Sequence, residues 1–212
     1  FTHVGDRGGF YSPVRDYSEF LEDRILPASL LWVGDVSTQW ADQQDSDTNW
    51  SNNLLPEDGD KLLFNGTVTG TLVNDSTSGN SYSMSFDSGN NTVTGHSIAL
   101  DNHGTDIIQI SGRNLLATPL ELSASSIEVQ AGVLELQGAL TGTAGLTKLG
   151  NGTLVLTGTA SYTGSTIVQS GGLQLDGTFS ATDPVSVSSD AVLGGTGSLA
   201  ADVSLAGTLS PG

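Results

Sequence analysis

Four leucines recur in the second half of the chain at an almost fixed spacing: Leu134, Leu154, Leu173 and Leu193 stand 20, 19 and 20 residues apart. The surrounding text repeats with them, as Gly132-Val-Leu-Glu-Leu-Gln-Gly138, Gly152-Thr-Leu-Val-Leu-Thr-Gly158 and Gly172-Leu-Gln-Leu-Asp-Gly177. A second apolar track, Ile127, Leu146, Ile167, Val185 and Val203, keeps step with spacings of 19, 21, 18 and 18. Self-similarity at such a period marks an array of stacked units.

In an extended strand alternate side chains share a face, so Leu134 and Leu136, Leu154 and Leu156, and Leu173 and Leu175 point to one interior. One unit buries only a few aliphatics and cannot hold itself together. Stacking units at the inter-strand spacing of ~4.8 Å lets each strand pair with its equivalents and builds a continuous aliphatic ladder. The reading is all-β: a parallel β-helix, or β-solenoid, of about 20 residues per coil, with two strands in each period. A β-sandwich or barrel also yields short strands and frequent turns, but has no reason to repeat motif text at a fixed distance.

Composition agrees and narrows the function. Glycine supplies 28 of 212 residues, as expected where tight corners recur. Leu, Ile, Val and Phe make up roughly a quarter of the chain, enough for a core. With 23 acidic against 6 basic residues the formal charge is -17, which repels nucleic acid and anionic lipid. Cysteine is absent, which removes disulfides, thiol nucleophiles and Cys-based metal sites. No apolar run is long enough for a transmembrane segment.

Three regions are expected. Residues 1–30 form a leader, flexible or a short helix, with Tyr17, Phe20, Leu21 and Ile25 at helical spacing behind Asp16 and ending before Pro27. Residues 31–60 form an N-terminal cap containing Trp32, Trp40 and Trp50, three aromatics placed to plug the open end of a solenoid core. Residues 61–212 form the β-solenoid, whose pattern still runs at Gly212 and is expected to continue in a longer parent chain.

The block Gly145-Leu-Thr-Lys-Leu-Gly-Asn-Gly-Thr-Leu-Val-Leu-Thr-Gly-Thr-Ala-Ser-Tyr-Thr-Gly-Ser-Thr-Ile-Val-Gln-Ser-Gly-Gly-Leu-Gln-Leu175 closely resembles the autotransporter-associated β-strand repeat, also called the passenger-associated transport repeat. The leader Phe20-Leu-Glu-Asp-Arg-Ile-Leu-Pro-Ala28 resembles the LEPR-XLL motif of large extracellular proteins of planctomycete bacteria, with Asp23 in place of the usual proline. The resemblance implies a right-handed β-helix, extracellular or on the bacterial cell surface, in which the repeat aids folding or secretion and performs no chemistry. It offers no catalytic residue to carry over, and no resident cofactor. The translocating β-barrel of a true autotransporter is not among these residues, and the resemblance of the leader implies a different export route.

Candidate chemistry is sparse. Asp45, Asp47 and Asn49 alternate like the opening of a calcium loop, but Trp50 stands where an EF-hand needs glycine and Pro56 where it needs a bidentate glutamate. What is left is a calcium loop of another kind, with Asp58 or Asp60, against a solvated acidic loop. Asp101, His103 and Asp106, with His96, can be drawn as an acid/base group and read better as polar corner residues. The carboxylates of the repeat region, among them Glu121, Glu128, Glu135 and Asp176, are spread out rather than clustered. The expectation is therefore a non-enzymatic stalk, with surface glycans or other surface proteins as partners. A carbohydrate-binding adhesin using the acidic loop or the tryptophans is the alternative, and a polysaccharide-degrading β-helix enzyme the remote third.

Overall fold

The computed structural model describes residues 27–34, 37–44, 47–66, 69–76, 80–100, 104–123 and 125–212. From Asp60 onward the chain winds as stacked coils of parallel strands, with Ser29–Leu31 added in parallel beside Asp60–Phe64 and a two-stranded antiparallel pair between them in sequence. The expected leader helix, Tyr17 to Ile25, lies outside the described residues.

Each regular coil carries three strands rather than the expected two. One coil reads Val133–Leu136, Leu140–Gly142 and Leu146–Leu149, and the next begins at Thr153–Leu156. The first strand of every coil joins an eight-stranded face running from Gly70–Asn74 to Thr208–Pro211. The second and third strands build two further rows, which merge at Ser81–Phe86. That strand pairs through Ser81 and Tyr82 with Ile98–Leu100 and through Met84 to Phe86 with Ile107–Gln109. The strand missed from sequence is the second of each coil. At Thr159–Ala160 and Thr178–Phe179 it is two residues long, too short to show an alternating pattern.

The leucine period is the register of the eight-stranded face. Leu134 pairs with Leu154, Leu154 with Leu173, and Leu173 with Leu193, and Leu209 extends the row after a shorter step of 16 residues. Leu134, Leu136, Leu154, Leu156, Leu173 and Leu175 are all buried, each removing on the order of 1.5–3 kcal/mol of apolar exposure.

The second track is corrected by the ladder. Ile127 stands opposite Lys148, not Leu146, and Ile167 stands opposite Thr147 on the outer surface, where it is 41% exposed. The inward rows of the third strands are Ser125, Leu146, Thr166, Val185 and Val203, and beside them Ile107, Ile127, Lys148, Val168, Val187 and Leu205. Reading only apolar residues skipped Lys148 and Thr166, polar residues that occupy core positions.

The first rungs hold an aromatic plug. Ser29–Leu31 pairs with Asp60–Phe64, which pairs with Ser81–Phe86. Trp32, Trp40 and Trp50 are buried, with Trp50 edge-on to Trp32 at 5.1 Å and to Trp40 at 5.7 Å. Trp50 also packs on Phe64, which stacks on Phe86 at 4.8 Å. Such ring pairs add about 0.5–1.5 kcal/mol each beyond their burial. The Trp50 indole donates to the Trp40 carbonyl at 2.9 Å, which fixes the plug's geometry as well as its volume.

Candidate functional site

Lys148 is the most unusual residue in the core. Its inward row is otherwise aliphatic from Ile107 to Val187, and Lys148 itself is 0% exposed. The methylene stem fills the row as Ile127 and Val168 do, while the ammonium needs acceptors. It finds three carbonyls, donating to Leu149 at 2.7 Å, to Gly150 at 2.8 Å and to Ser170 at 3.1 Å. Two belong to its own corner and the third to the corner of the following coil, so one cation ties successive turns of the chain together. Burial pulls the ammonium pKa down to about 8, against the Glu128 carboxylate, which raises it.

The residues after Lys148 are shaped by the same corner. Gly150 has φ +77, and a side chain there would meet the Val129 carbonyl at 2.4 Å. Only glycine combines that backbone with that approach. Further along, Tyr162 packs edge-on to Phe179 at 5.6 Å and shares a 2.5 Å hydrogen bond with the buried Thr166 hydroxyl. Burial pushes the Tyr162 phenol up to about 12, opposed by that hydrogen bond. The distinctive residues of this block are thus committed to closing coils.

The sequence-derived calcium residues are placed as follows. Asp45 lies outside the described residues, while Gln43–Gln44 and Asp47–Thr48 pair as antiparallel strands. Asp47 is exposed and accepts a hydrogen bond from Asn53 at 3.0 Å. Asn49 is buried: its carbonyl oxygen accepts from the Ser37 amide at 2.8 Å, and its amide donates to the Gln39 carbonyl at 2.7 Å. Asn49 therefore stitches the cap, joining Ser37 and Gln39 through its buried side chain.

Asp58 and Asp60 are likewise engaged with backbone. Asp58 accepts from the Ser81 amide and hydroxyl, which hold its pKa below the ordinary value, and Asp60 bridges the amides of Ala28 and Glu57. Among the described residues no group of three or more His, Asp or Glu side chains gathers as a metal site. The tryptophans are buried and present no ring face on which a sugar could stack.

Of the drawn acid/base group, Asp101 and His103 lie outside the described residues. The His96 ring nitrogen Nδ1 contacts the Ser76 carbonyl at 2.6 Å, and the buried Asp106 accepts from the Ser126 amide at 2.7 Å. Glu135 faces outward in an ion pair with Arg113. At the surface such a pair contributes at most about 1 kcal/mol.

Sequence reasoning missed Lys148 as a structural cation, although one lysine between Leu146 and Leu149 was a readable signal. The family model for the passenger-associated transport repeat matches residues 146–175, the segment that runs from the strand Leu146–Leu149 to the end of the long-face strand Gly171–Leu175. No curated protein matches the chain, and no solved structure does.

Proposed function

We propose, for a chain that carries a passenger-associated transport repeat, that it is a non-enzymatic structural length of a secreted or cell-surface passenger protein. Within it the repeat helps neighbouring coils to fold during or after export. The observation that carries this reading is the coincidence of the repeat with the coil junction that Lys148 closes.

A solenoid coil gains its ladder only when its neighbour docks. Lys148 sharpens that coupling, because its third acceptor, the Ser170 carbonyl, is in place only after the next corner has formed. Until then a cation bound for the core lacks a ligand, which favours completing the second coil once the first is made. Supporting the non-catalytic role, the side chains characteristic of the repeat are spent on packing and corner hydrogen bonds. The described carboxylates that the sequence offered for chemistry are separated or engaged with backbone.

The test uses the parent protein in its own cells, probed by protease added to intact cells and by fractionation of the medium. The expected result is cleavage of this segment by protease on intact cells or its recovery in the medium, with Lys148→Met reducing the amount that reaches the outside. Full protection until the cells are lysed would overturn the reading.

A further inference from the structure

The outer surface of the eight-stranded face is uneven along the solenoid axis. One outward row runs Glu135, Val155, Gln174, Gly194 and Ser210, and beside it runs Val133, Thr153, Gly172, Val192 and Thr208. Where Gly172 and Gly194 stand in place of side chains, the surface falls into a groove of about 540 Å³. It crosses Thr153–Leu156, Gly171–Leu175, Ala191–Gly195 and Thr208–Pro211, three inter-strand steps or about 14 Å.

The two glycines differ in what requires them. A side chain at Gly194 would strike the Ser210 carbonyl at 2.7 Å, so backbone crowding explains it. Gly172 has no such requirement: its φ is ordinary, and an added Cβ would meet only the Thr153 side chain, at 3.2 and 3.4 Å. A larger residue there requires only that the Thr153 side chain shift by a few tenths of an ångström, and the groove would close.

The rim is held in place. Asp176 accepts from the Gln174 amide nitrogen at 2.8 Å, and from the Thr196 backbone amide and hydroxyl at 3.0 and 3.2 Å. Both residues line the groove: Thr196, its hydroxyl proton given to Asp176, offers Oγ1 as an acceptor, and Gln174 offers Oε1 as an acceptor with its second Nε2–H as a donor. Such anchoring lowers the ordering cost of binding. Asn151, Thr153 and Ser210 add amide and hydroxyl groups, and Val192, 38% exposed, adds an apolar surface.

From this lining we propose that the groove binds a neutral polysaccharide chain. Its acceptors call for a ligand rich in hydroxyl donors, and its length suits a polymer lying along the axis. No charged side chain lines it, and a net charge of -17 repels anionic polymers. A flat protein surface would require a larger apolar floor than Val192 and Pro211 provide. The inference goes beyond the scaffold role and is independent of export, since it concerns the isolated chain.

The purified 212-residue chain is run in native gels containing dextran, a soluble mixed-linkage β-glucan or galactomannan, and in a gel containing polygalacturonate. Retardation by at least one neutral polymer and none by the anionic one is expected. Gly172→Gln, which fills the floor, and Asp176→Ala, which releases the rim, should each weaken retention about tenfold. Melting curves check that the variants fold, and Gly172→Ser serves as the milder substitution. Failure of all three neutral polymers to retard the parent, or equal retention by a folded Gly172→Gln, would overturn the proposal. Neither result bears on where the parent protein resides.

Discussion

Replacing Lys148 by methionine keeps the stem that fills the core row and removes the donor shared by three carbonyls. The expected cost near neutral pH is about 1–3 kcal/mol, read from denaturant midpoints. The pH dependence separates charge from packing. The Lys148 pKa falls from 10.5 to about 8 on folding, so between those values the unfolded chain binds the extra proton. Stability from this group therefore rises with pH from about 8 upward. The buried Tyr162 works in the opposite sense: its pKa rises to about 12, so its contribution is full below about 10 and is lost above it. Melting temperatures of parent and Lys148→Met compared from pH 7.5 to 9.5 should diverge, the parent gaining relative to the variant. Parallel curves would mean that folding does not lower the Lys148 pKa and that the side chain stays charged in both states over this range.

At the scale of strands, Thr153–Leu156 shows what a rung contributes. Leu154 and Leu156 are buried between Leu134 and Leu136 on one side and Leu173 and Leu175 on the other, in continuous parallel register. Leu154→Ala should cost about 2–5 kcal/mol, because flanking rungs held by their own ladders cannot collapse into the cavity. Leu156→Pro adds loss of a ladder donor to the loss of side-chain volume. Amide exchange by mass spectrometry should then show protection lost first over residues 133–175, with the cap rungs still protected. The repeating leucines were legible because period and burial coincide. The third strand of each coil was not fully legible: its inward positions include Ser125, Lys148 and Thr166, whose polar groups are satisfied by corner carbonyls or neighbours that sequence spacing does not reveal.

Across the molecule, all three tryptophans lie in the plug while the repeat lies several coils away, so fluorescence and circular dichroism report different parts of one stack. In the parent the two transitions should coincide if the ladder couples cap to repeat. In Leu156→Pro the dichroism should fall at lower denaturant while tryptophan emission holds, as nearest-neighbour stability predicts. The charge of -17 acts on the whole stack, and its self-repulsion is screened over about 10 Å at 0.1 M salt. Raising sodium chloride from about 0.01 to 0.15 M should raise the melting temperature of the parent. A flat response would mean that the carboxylates are too dispersed to matter.

The sequence by itself determined the coil period, the all-β parallel stack, the leucine row and the aromatic plug. Each follows from a local rule, alternation along a strand or recurrence at a fixed distance, and residues facing the core announce it by being apolar. Only the tertiary structure decided the three-strand coil, the pairing of Ile127 with Lys148, the commitment of Asn49, Asp58 and Asp60 to backbone partners, and the open floor at Gly172. Those features depend on which carbonyl or amide lies across a corner, or on the bulk missing beside a neighbouring strand. Such proximities join residues at unequal distances along the chain, as Asn49 with Gln39, 10 apart, Asp58 with Ser81, 23 apart, and Asp60 with Ala28, 32 apart, and leave no periodic trace.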